Sequence, residues 1–336
     1  MKFPSEFFKT EERDGFTVPE MMKRAWSAEM EVLQAVDSVC TKHNIHYSVV
    51  AGTLLGAVRH RGFIPWDDDI DIAMLRDDYD RFLQIAHEEL PAGFVVGGMH
   101  AKERRLWSAC EFPNTRIVAD ELHFSLPEYM TYFHGYPYLR VGIDLFPYDY
   151  MPADLDRQYE ILKTYYTLNF TAANISLYRQ QDKLEAQLRD FEKRFDTVLE
   201  RADDEILFQQ LRLIADGVIS SCKNEDCEKI INAQFFTPPE RREDFTGIKG
   251  RPAKWYRNII ELPFENITVK APAKYKEILE QTYGPDYMTP KKFTAQHEYP
   301  FYKPKEPEFE RVLRESGVTV SVDEFCRNWH VMCGGE

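Results

Sequence analysis

Two aspartates, Asp69 and Asp71, stand two positions apart in a segment where acidic and apolar residues alternate. Side chains two positions apart on a β-strand project to the same face, so both carboxylates point one way while Ile70 and Ile72 point the other. Carboxylates held side by side repel each other unless a cation lies between them. The pattern therefore predicts a divalent-cation site for phosphoryl transfer, with Mg²⁺ or Mn²⁺ as the cofactor.

Two other interpretations of these carboxylates fail on the residues beside them. A solvated acidic turn would suit residues 67–69 alone, but the isoleucines that follow require one face to be buried. A calcium-binding EF-hand loop that began at Asp67 would need glycine at its sixth position and glutamate at its twelfth. The chain has Ile72 and Asp78 at those positions. Metal-assisted phosphoryl transfer is therefore the chemistry that the pattern predicts.

A third carboxylate, Asp144, lies between Ile143 and Leu145 in a second apolar run. An unpaired charge is costly to bury on an apolar strand, which favours a functional role. As a functional residue, Asp144 would bind metal or accept the proton of an attacking hydroxyl. The alternative is a core aspartate that caps a turn near Pro147. We predict that Asp144 is catalytic and a metal ligand, together with the two aspartates above.

A small-residue turn, Gly52-Thr53, follows an apolar run and precedes a short helix. Backbone amides, a hydroxyl and a helix start suit a phosphate, so we predict that both residues bind the substrate. Arg59, His60 and Arg61 lie between this turn and the carboxylates, and we predict that they contact a diphosphate. A surface role for one or two of these three is the alternative.

Three further patterns could bind a charged substrate. Lys249 lies in a basic, glycine-containing loop (residues 247–257) that would neutralise a leaving nucleotide or else be an ordinary solvated loop. His297 is a lone histidine, for which a structural role is the alternative to catalysis. One aromatic segment could form a cage for a quaternary ammonium, stack on a sugar or pack in the core: Tyr129, Tyr132, Phe133, Tyr136 and Tyr138.

Hydrophobic periodicity places these residues on a series of helices and strands. The expected elements are a helix over 19–43, a strand over 47–51, a helix over 54–59, a strand over 69–75, a helix from 77 to 90, and strands over 94–96, 116–119 and 141–146. Residues 154–232 are charged and helical in pattern. The mixture predicts an α/β (α+β) fold with a mixed sheet flanked by helices and a helical insertion.

Three units follow from this organisation. We predict a catalytic core over residues 1–153, a helical insertion over 154–234 that contributes to the choice of acceptor, and a C-terminal part over 235–336 that returns to the core.

Composition narrows the class of protein. A net charge of −14 disfavours nucleic acid as a partner, because a phosphate polymer would be repelled. The N-terminus lacks the apolar core of a signal peptide, and no segment is long and apolar enough for a membrane span, so we expect a cytoplasmic protein. The inner face of the membrane is an open alternative location.

We expect reduced, mostly buried thiols at all six cysteines: Cys40, Cys110, Cys222, Cys227, Cys326 and Cys333.

The longest motif, GTLLGAVRHRGFIPWDDDIDIAM (Gly52–Met74), resembles the LicD family of phosphocholine transferases, which includes the fukutin-type phosphotransferases. This family belongs to the nucleotidyltransferase superfamily, whose signature is a Gly-Thr turn followed by Asp-x-Asp on a strand. Three further segments match in the same order: Val141–Pro147, Leu262–Glu265 and Tyr275–Met288. The resemblance is close over residues 18–151, looser over 259–302, and weak or absent over 154–235.

The resemblance implies a nucleotidyltransferase-like sheet and a Mg²⁺-dependent transferase. Such an enzyme would move phosphocholine, or a related phosphorylated alcohol, from a CDP-activated donor to a cell-surface glycan or a lipid-linked precursor. CDP-choline is the expected donor, and peripheral contact with the membrane is compatible with such an acceptor. Two alternatives stay open: a nucleotidyltransferase that releases pyrophosphate, and a catalytically silent module that binds nucleotide or glycan.

Overall fold

A mixed sheet of seven strands forms the centre of the computed structural model, which describes residues 1–110, 112–223, 227–292 and 299–329. The strands of this part of the chain are β1 (Glu11–Arg13), β2 (Phe16–Val18), β3 (Ser48–Val49), β4 (Asp71–Leu75), β5 (Phe94–Gly98), β6 (Thr115–Ala119), β7 (Gly142–Met151), β8 (Lys229–Ile231), β9 (Arg251–Pro252), β10 (Ile259–Phe264) and β11 (Ile267–Pro272). β1 pairs with β2 and β10 with β11, each as a separate two-stranded sheet. The mixed sheet and its helices confirm the predicted fold class.

The strand order brings distant parts of the chain side by side. Along the sheet the order is β3-β4-β7-β6-β5. β4 and β7 run parallel, whereas β6 runs antiparallel to both β7 and β5. The last residues of β7 pair with β8, which in turn pairs with β9. β7 therefore joins the N-terminal part of the sheet to the chain that returns after residue 227.

Helices flank the sheet. In the described residues they are α1 (Glu20–His43), α2 (Ala51–Arg59), α3 (Arg76–Glu89), α4 (Leu126–Tyr132), α5 (Leu155–Ala173), α6 (Ile175–Gln180), α7 (Leu184–Phe195), α8 (Asp204–Ile219), α9 (Tyr275–Tyr283), α10 (Glu306–Glu315) and α11 (Val322–Arg327). None of these helices combines the length and the apolar composition that crossing a bilayer would require.

The longest helix, α1, packs in the core that contains the sheet. Its apolar residues recur at helical spacing and are buried, and the Trp26 ring stacks on Phe63 with 4.5 Å between centroids. The helix ends at Asn44, whose left-handed backbone lets its N–H bond to the carbonyl of Cys40. The predicted helix over residues 19–43 is therefore confirmed.

Helices α5 to α8 bury their apolar faces in a second hydrophobic cluster. A buried ion-pair network ties this cluster to the sheet: Arg76 Nε donates to Asp149 at 2.6 Å, and its Nη2 donates to Asp216 at 2.9 Å. Asp149 lies in β7 and Asp216 in α8. The helical character predicted for residues 154–232 is seen in α5 to α8, but residues 229–231 form β8. The three-unit division of the chain stays a prediction.

Several expected element boundaries differ from the structure. The strand expected over 47–51 is β3 (Ser48–Val49), and the strand expected over 141–146 continues to Met151 in β7. The carboxylate strand begins at Asp71 instead of Asp69, since residues 67–70 form an irregular segment that follows the turn at Pro65-Trp66. The helix after the small-residue turn begins at Ala51 instead of Leu54. It begins early because Ala51 has a left-handed backbone (φ 47°) that turns the chain directly from β3 into the helix.

The expectation of reduced thiols is wrong for one pair of cysteines. Cys222 and Cys227, both buried, form a disulfide just after the end of α8. Cys40, Cys110 and Cys326 are free and buried, as expected. Cys333 lies outside the described residues.

Candidate active site

Three charged side chains form one row across the sheet. Asp71 in β4 pairs with Asp144 in β7, and Asp144 pairs with Arg116 in β6. Residues paired across neighbouring strands project to the same face, so two carboxylates and one guanidinium are neighbours. Asn114 Nδ2 donates to Asp144 Oδ1 at 3.1 Å and orients that carboxylate. The fold thus brings together two of the three predicted catalytic aspartates.

The third, Asp69, lies with Asp67 and Asp68 in the irregular segment of residues 67–70 before β4. One carboxylate oxygen from each of these three residues lies within 4.8 Å of the others. Trp26 Nε1 donates to the backbone carbonyl of Asp67 at 3.1 Å, and the backbone N–H of Phe301 donates to Asp68 Oδ2 at 2.6 Å. This segment is therefore held by the first helix on one side and by the C-terminal part of the chain on the other.

Burial and mutual repulsion raise the pKa values of Asp71 and Asp67. Burial raises the pKa of Asp71 well above its ordinary value, and the carboxylates of Asp69 and Asp144 raise it further. The pKa of Asp67 is raised by burial and then by Asp69. Burial lowers the pKa of Arg116, but Asp144 and other acids outweigh this effect and leave its pKa raised. Every acid in the group would be relieved by a further positive charge.

The donor set fits a hard divalent cation. Mg²⁺ and Mn²⁺ prefer carboxylate oxygens, and these are the atoms that Asp69, Asp71 and Asp144 offer. The raised pKa of Asp71 supports the same conclusion, because one guanidinium does not offset the repulsion at this carboxylate. These three residues would hold the ion. Binding of the metal stays a prediction.

Gly52 and Thr53 position the acids of the site. A Cβ added at Gly52 would lie 3.3 Å from Asp67 Cγ and closer still to Asp67 Oδ2, so only glycine lets the carboxylate approach the start of α2. Thr53 is buried, and its Oγ1 accepts the backbone N–H of Asp71 at 2.8 Å. Their predicted contacts with phosphate stay predictions.

A cleft of about 470 Å³ opens beside Asp71, which contributes to its lining. Its walls come from β7, from the chain around β8 and β9, and from α9. Six aromatic side chains line these walls: Phe146, Tyr148, Phe235, Phe236, Tyr256 and Tyr283. The cleft thus combines an acidic residue with aromatic walls that a nucleoside or an organic cation could contact.

Two basic residues, Lys249 and Arg251, also line the cleft. Lys249 is exposed, so the predicted substrate-binding lysine faces the same space as Asp71. Arg251 Nη2 donates to Thr282 Oγ1 at 2.7 Å, and its Nη1 donates to Tyr256 Oη at 3.2 Å. The two basic residues thus place positive charge on the wall of a cleft that also contains Asp71.

The basic cluster Arg59, His60 and Arg61 lies elsewhere. Arg59 Nη1 donates to the carbonyl of Tyr287 at 3.0 Å, and His60 Nε2 lies 2.9 Å from Asp14 Oδ2. Arg61 is exposed. Among the described residues that line the cleft, none comes from this cluster. Its predicted contact with a diphosphate stays a prediction.

Sequence reasoning missed three polar residues near the acids: Glu29, Asn114 and Arg116. The sequence does indicate that Glu29 is buried, since it lies three residues after Trp26 and four before Leu33 on the apolar face of α1. A charge at such a position is buried with the face that carries it. Asn114 and Arg116 had no local signal, because only strand pairing places them beside Asp144.

The aromatic segment is part of the hydrophobic core. Tyr129, Phe133 and Tyr136 are fully buried and Tyr138 is nearly so, whereas Tyr132 is partly exposed. Core packing is therefore the alternative that the structure supports over a cage for a quaternary ammonium. His297 lies outside the described residues.

One family model and one named relative among the comparisons with known proteins carry the name LicD. The family described as LicD/FKTN/FKRP, nucleotidyltransferase domain, matches residues 44–126. The lipopolysaccharide cholinephosphotransferase LicD of Haemophilus influenzae is 48% identical over 60 residues, which is 18% of this chain and 23% of that protein. An uncharacterized protein of Rickettsia prowazekii is 41% identical over 66 residues, 20% of this chain and 25% of that protein. The matches thus span about a quarter of each relative's length.

Proposed function

We propose that this chain is a phosphotransferase of cell-surface polysaccharide biosynthesis, because residues 44–126 match the LicD family model and 60 residues are 48% identical to a lipopolysaccharide cholinephosphotransferase. The group transferred is phosphocholine or a related phosphorylated alcohol. The donor is the corresponding CDP-alcohol, with CDP-choline first, and the acceptor is a hydroxyl of a glycan or of its lipid-linked precursor. The reaction depends on Mg²⁺ or Mn²⁺.

One observation carries this proposal: Asp71, the member of the carboxylate row that lines the cleft, shares that cleft with two basic residues. Asp71 lines the cleft and pairs with Asp144, while Lys249 and Arg251 line its wall. A diphosphate needs positive charge on both of its phosphates, which basic side chains and a carboxylate-bound cation together provide. The aromatic walls suit the base of the donor nucleotide.

The proposed step exchanges one phosphorus–oxygen bond for another. The acceptor hydroxyl oxygen bonds to the β-phosphorus, and the bond from that phosphorus to the oxygen bridging the α-phosphate breaks. CMP leaves with the bridging oxygen, where Lys249 and Arg251 neutralise its charge. The hydroxyl proton passes to a carboxylate, for which Asp144 is the candidate. Asp69, Asp71 and Asp144 would hold the cation, which when bound would supply electrostatic stabilisation of the phosphoryl group.

The test is a product assay with a panel of donors. The protein would be incubated with Mg²⁺ and CDP-choline, CDP-ethanolamine, CDP-ribitol or CDP-glycerol, with and without a lipopolysaccharide extract, and the nucleotide products separated by anion-exchange chromatography. We expect CMP to be released from one donor, to increase with acceptor, and to disappear with EDTA.

Matched variants make the assay specific. Asp144→Asn should lose CMP release, whereas Asp190→Asn, at an exposed position of α7, should keep it. Pyrophosphate as the product from a nucleoside triphosphate would favour a nucleotidyltransferase instead. Binding of cytidine nucleotides without turnover of any donor would favour a silent binding module.

A further inference from the structure

Arg251 lines the cleft without a carboxylate to compensate its charge. Acidic residues outnumber Lys and Arg by 56 to 42 in this chain, and Arg76 shows the usual result, with Asp149 and Asp216 as its partners. In the part of the chain that the structure describes, Arg251 forms no such ion pair, and its hydrogen bonds go to two hydroxyls. Its positive charge is therefore directed to an anion that enters the cleft.

The two hydroxyls hold the guanidinium from different elements. Nη2 of Arg251 donates to Thr282 Oγ1 in α9 at 2.7 Å, and Nη1 donates to Tyr256 Oη at 3.2 Å. Thr282 Oγ1 itself donates to the carbonyl of Ile278 at 2.7 Å, so its proton is engaged and a lone pair accepts from Arg251. The Tyr256 ring is buried and packs edge-on against Tyr148, with 5.0 Å between centroids. Both acceptors are thus fixed by contacts of their own.

Neutral partners orient an arginine without cancelling its charge. A carboxylate in the place of either hydroxyl would fix the side chain equally well but would compete with a phosphate for it. A guanidinium also carries more N–H donors than these two bonds use, so others remain for a ligand. Ordering the long side chain before the substrate binds removes the entropy cost of ordering it at that moment.

We propose that Thr282 and Tyr256 are positioning residues that hold Arg251 toward the phosphate that leaves with the nucleotide. This inference rests on the proposed function. The α-phosphate of an intact CDP-alcohol carries about one negative charge, whereas the phosphate of CMP carries close to two at neutral pH. Arg251 therefore interacts more strongly with the departing phosphate than with the intact donor. Such a difference raises kcat and has little effect on KM.

The test measures CMP release at saturating donor and CMP binding by isothermal titration calorimetry. Thr282→Val keeps the shape of the side chain but removes the hydroxyl. Its kcat should fall about tenfold with little change in KM, and its Kd for CMP should rise about tenfold, as is typical for one lost hydrogen bond to a charged group. Tyr256→Phe should behave in the same way. Thr282→Ser, which retains the hydroxyl, should keep both values close to those of wild type.

Two matched controls remove comparable hydroxyls away from the cleft. Thr167 Oγ1 makes the same kind of bond within α5, to the carbonyl of Lys163 at 2.7 Å, and Tyr159 Oη donates to the carbonyl of Glu240 at 2.7 Å. Neither Thr167 nor Tyr159 is among the described residues that line the cleft. Thr167→Val and Tyr159→Phe should therefore keep the wild-type kcat and the wild-type affinity for CMP.

A double-mutant cycle shows whether the Thr282 hydroxyl acts through Arg251. Arg251→Ala should lower kcat and CMP affinity at least as much as Thr282→Val does, and adding Thr282→Val to Arg251→Ala should cause no further loss. An equal loss from Thr282→Val with and without Arg251 would overturn the inference, as would unchanged kcat and CMP affinity in Thr282→Val.

The two readouts also separate this inference from the proposed function. Wild-type protein that binds CMP but releases none from any donor would contradict the proposed function, and the calorimetric cycle alone would then decide the role of Thr282. Wild-type protein that releases CMP, but whose Thr282→Val variant matches it in both measurements, would leave the proposed function in place and overturn the inference. Wild-type protein that does not bind CMP at all would also overturn it.

Discussion

Replacing Gly52 by alanine should reduce activity while leaving the fold intact. Gly52 lies in the first turn of α2, where alanine is a better helix former than glycine by up to about 1 kcal/mol. The added methyl group, however, would lie closer than 3.0 Å to Asp67 Oδ2, which real side chains do not tolerate. The carboxylate of Asp67 must therefore withdraw by on the order of 1 Å to regain an ordinary contact distance.

This displacement of Asp67 occurs in the segment of residues 67–70, which also carries Asp69. Because Asp67 and Asp69 share the cluster of convergent oxygens, moving one disturbs the other. A misplacement of about 1 Å at a reacting centre costs on the order of 100-fold in rate, and this is the loss of CMP release that we expect for Gly52→Ala. The melting temperature should stay within a few degrees of the wild-type value, since the side chain of Asp67 can move without unfolding the helix.

Gly217 provides the matched control. It lies in α8, and a Cβ added there would meet no atom within 4 Å. Gly217→Ala gains the same helix propensity without displacing a carboxylate, so it should release CMP at the wild-type rate. Both variants would be compared by thermal melting and by initial rates at saturating donor. A Gly52→Ala protein with activity within a few-fold of wild type would refute the reasoning that Asp67 must sit against this glycine.

Three further outcomes are expected. Saturating Mg²⁺, at about 100 times its dissociation constant, should stabilise wild type by about 2.7 kcal/mol in thermal or urea unfolding, and the Asp69→Asn/Asp71→Asn double variant should not respond. Without metal, the folded protein should lose stability as pH rises above the ordinary aspartate pKa of 3.8, because the raised pKa of Asp71 makes the folded state bind its proton more tightly than the unfolded state; urea midpoints at pH 5 and pH 8 check this sign. Lys249→Ala should raise the KM for the donor by about tenfold with little change in kcat, and an unchanged KM would remove this lysine from the donor site.

Local pattern was sufficient for much of the fold. Helix α1 was predictable because its apolar residues recur every three to four positions over 24 residues, and the first half of β7 because Asp144 interrupts an otherwise apolar run there. The side-by-side placement of Asp71 and Asp144 follows from the pairing of two strands that could each be recognised separately. Periodicity and the chemistry of paired acids therefore predicted the two aspartates at the centre of the site.

The surroundings of the site could not be predicted in this way. Arg116 is adjacent to Asp144 only because β6 pairs with β7, and no pattern within either strand specifies that pairing. Much of the cleft wall comes from β8, β9 and α9, more than 80 residues away from the acids in sequence, so their contribution depends on the return of the chain. The start of β4 was misjudged because alternation continues through Asp69, while the backbone of residues 67–70 is irregular and unpaired there.

The length of β7 gives the buried ion pair of Arg76 an effect beyond its own contacts. The strand carries Asp144 near one end and Asp149, the partner of Arg76, near the other. A slip of one residue along the neighbouring strands would turn every β7 side chain to the opposite face. Such a slip would turn Asp144 away from Asp71 and, in the same movement, pull Asp149 away from a guanidinium that is 1% exposed. The ion pair therefore fixes the register of β7. The cost of breaking a buried ion pair at Asp149 disfavours a shifted register that would misplace Asp144.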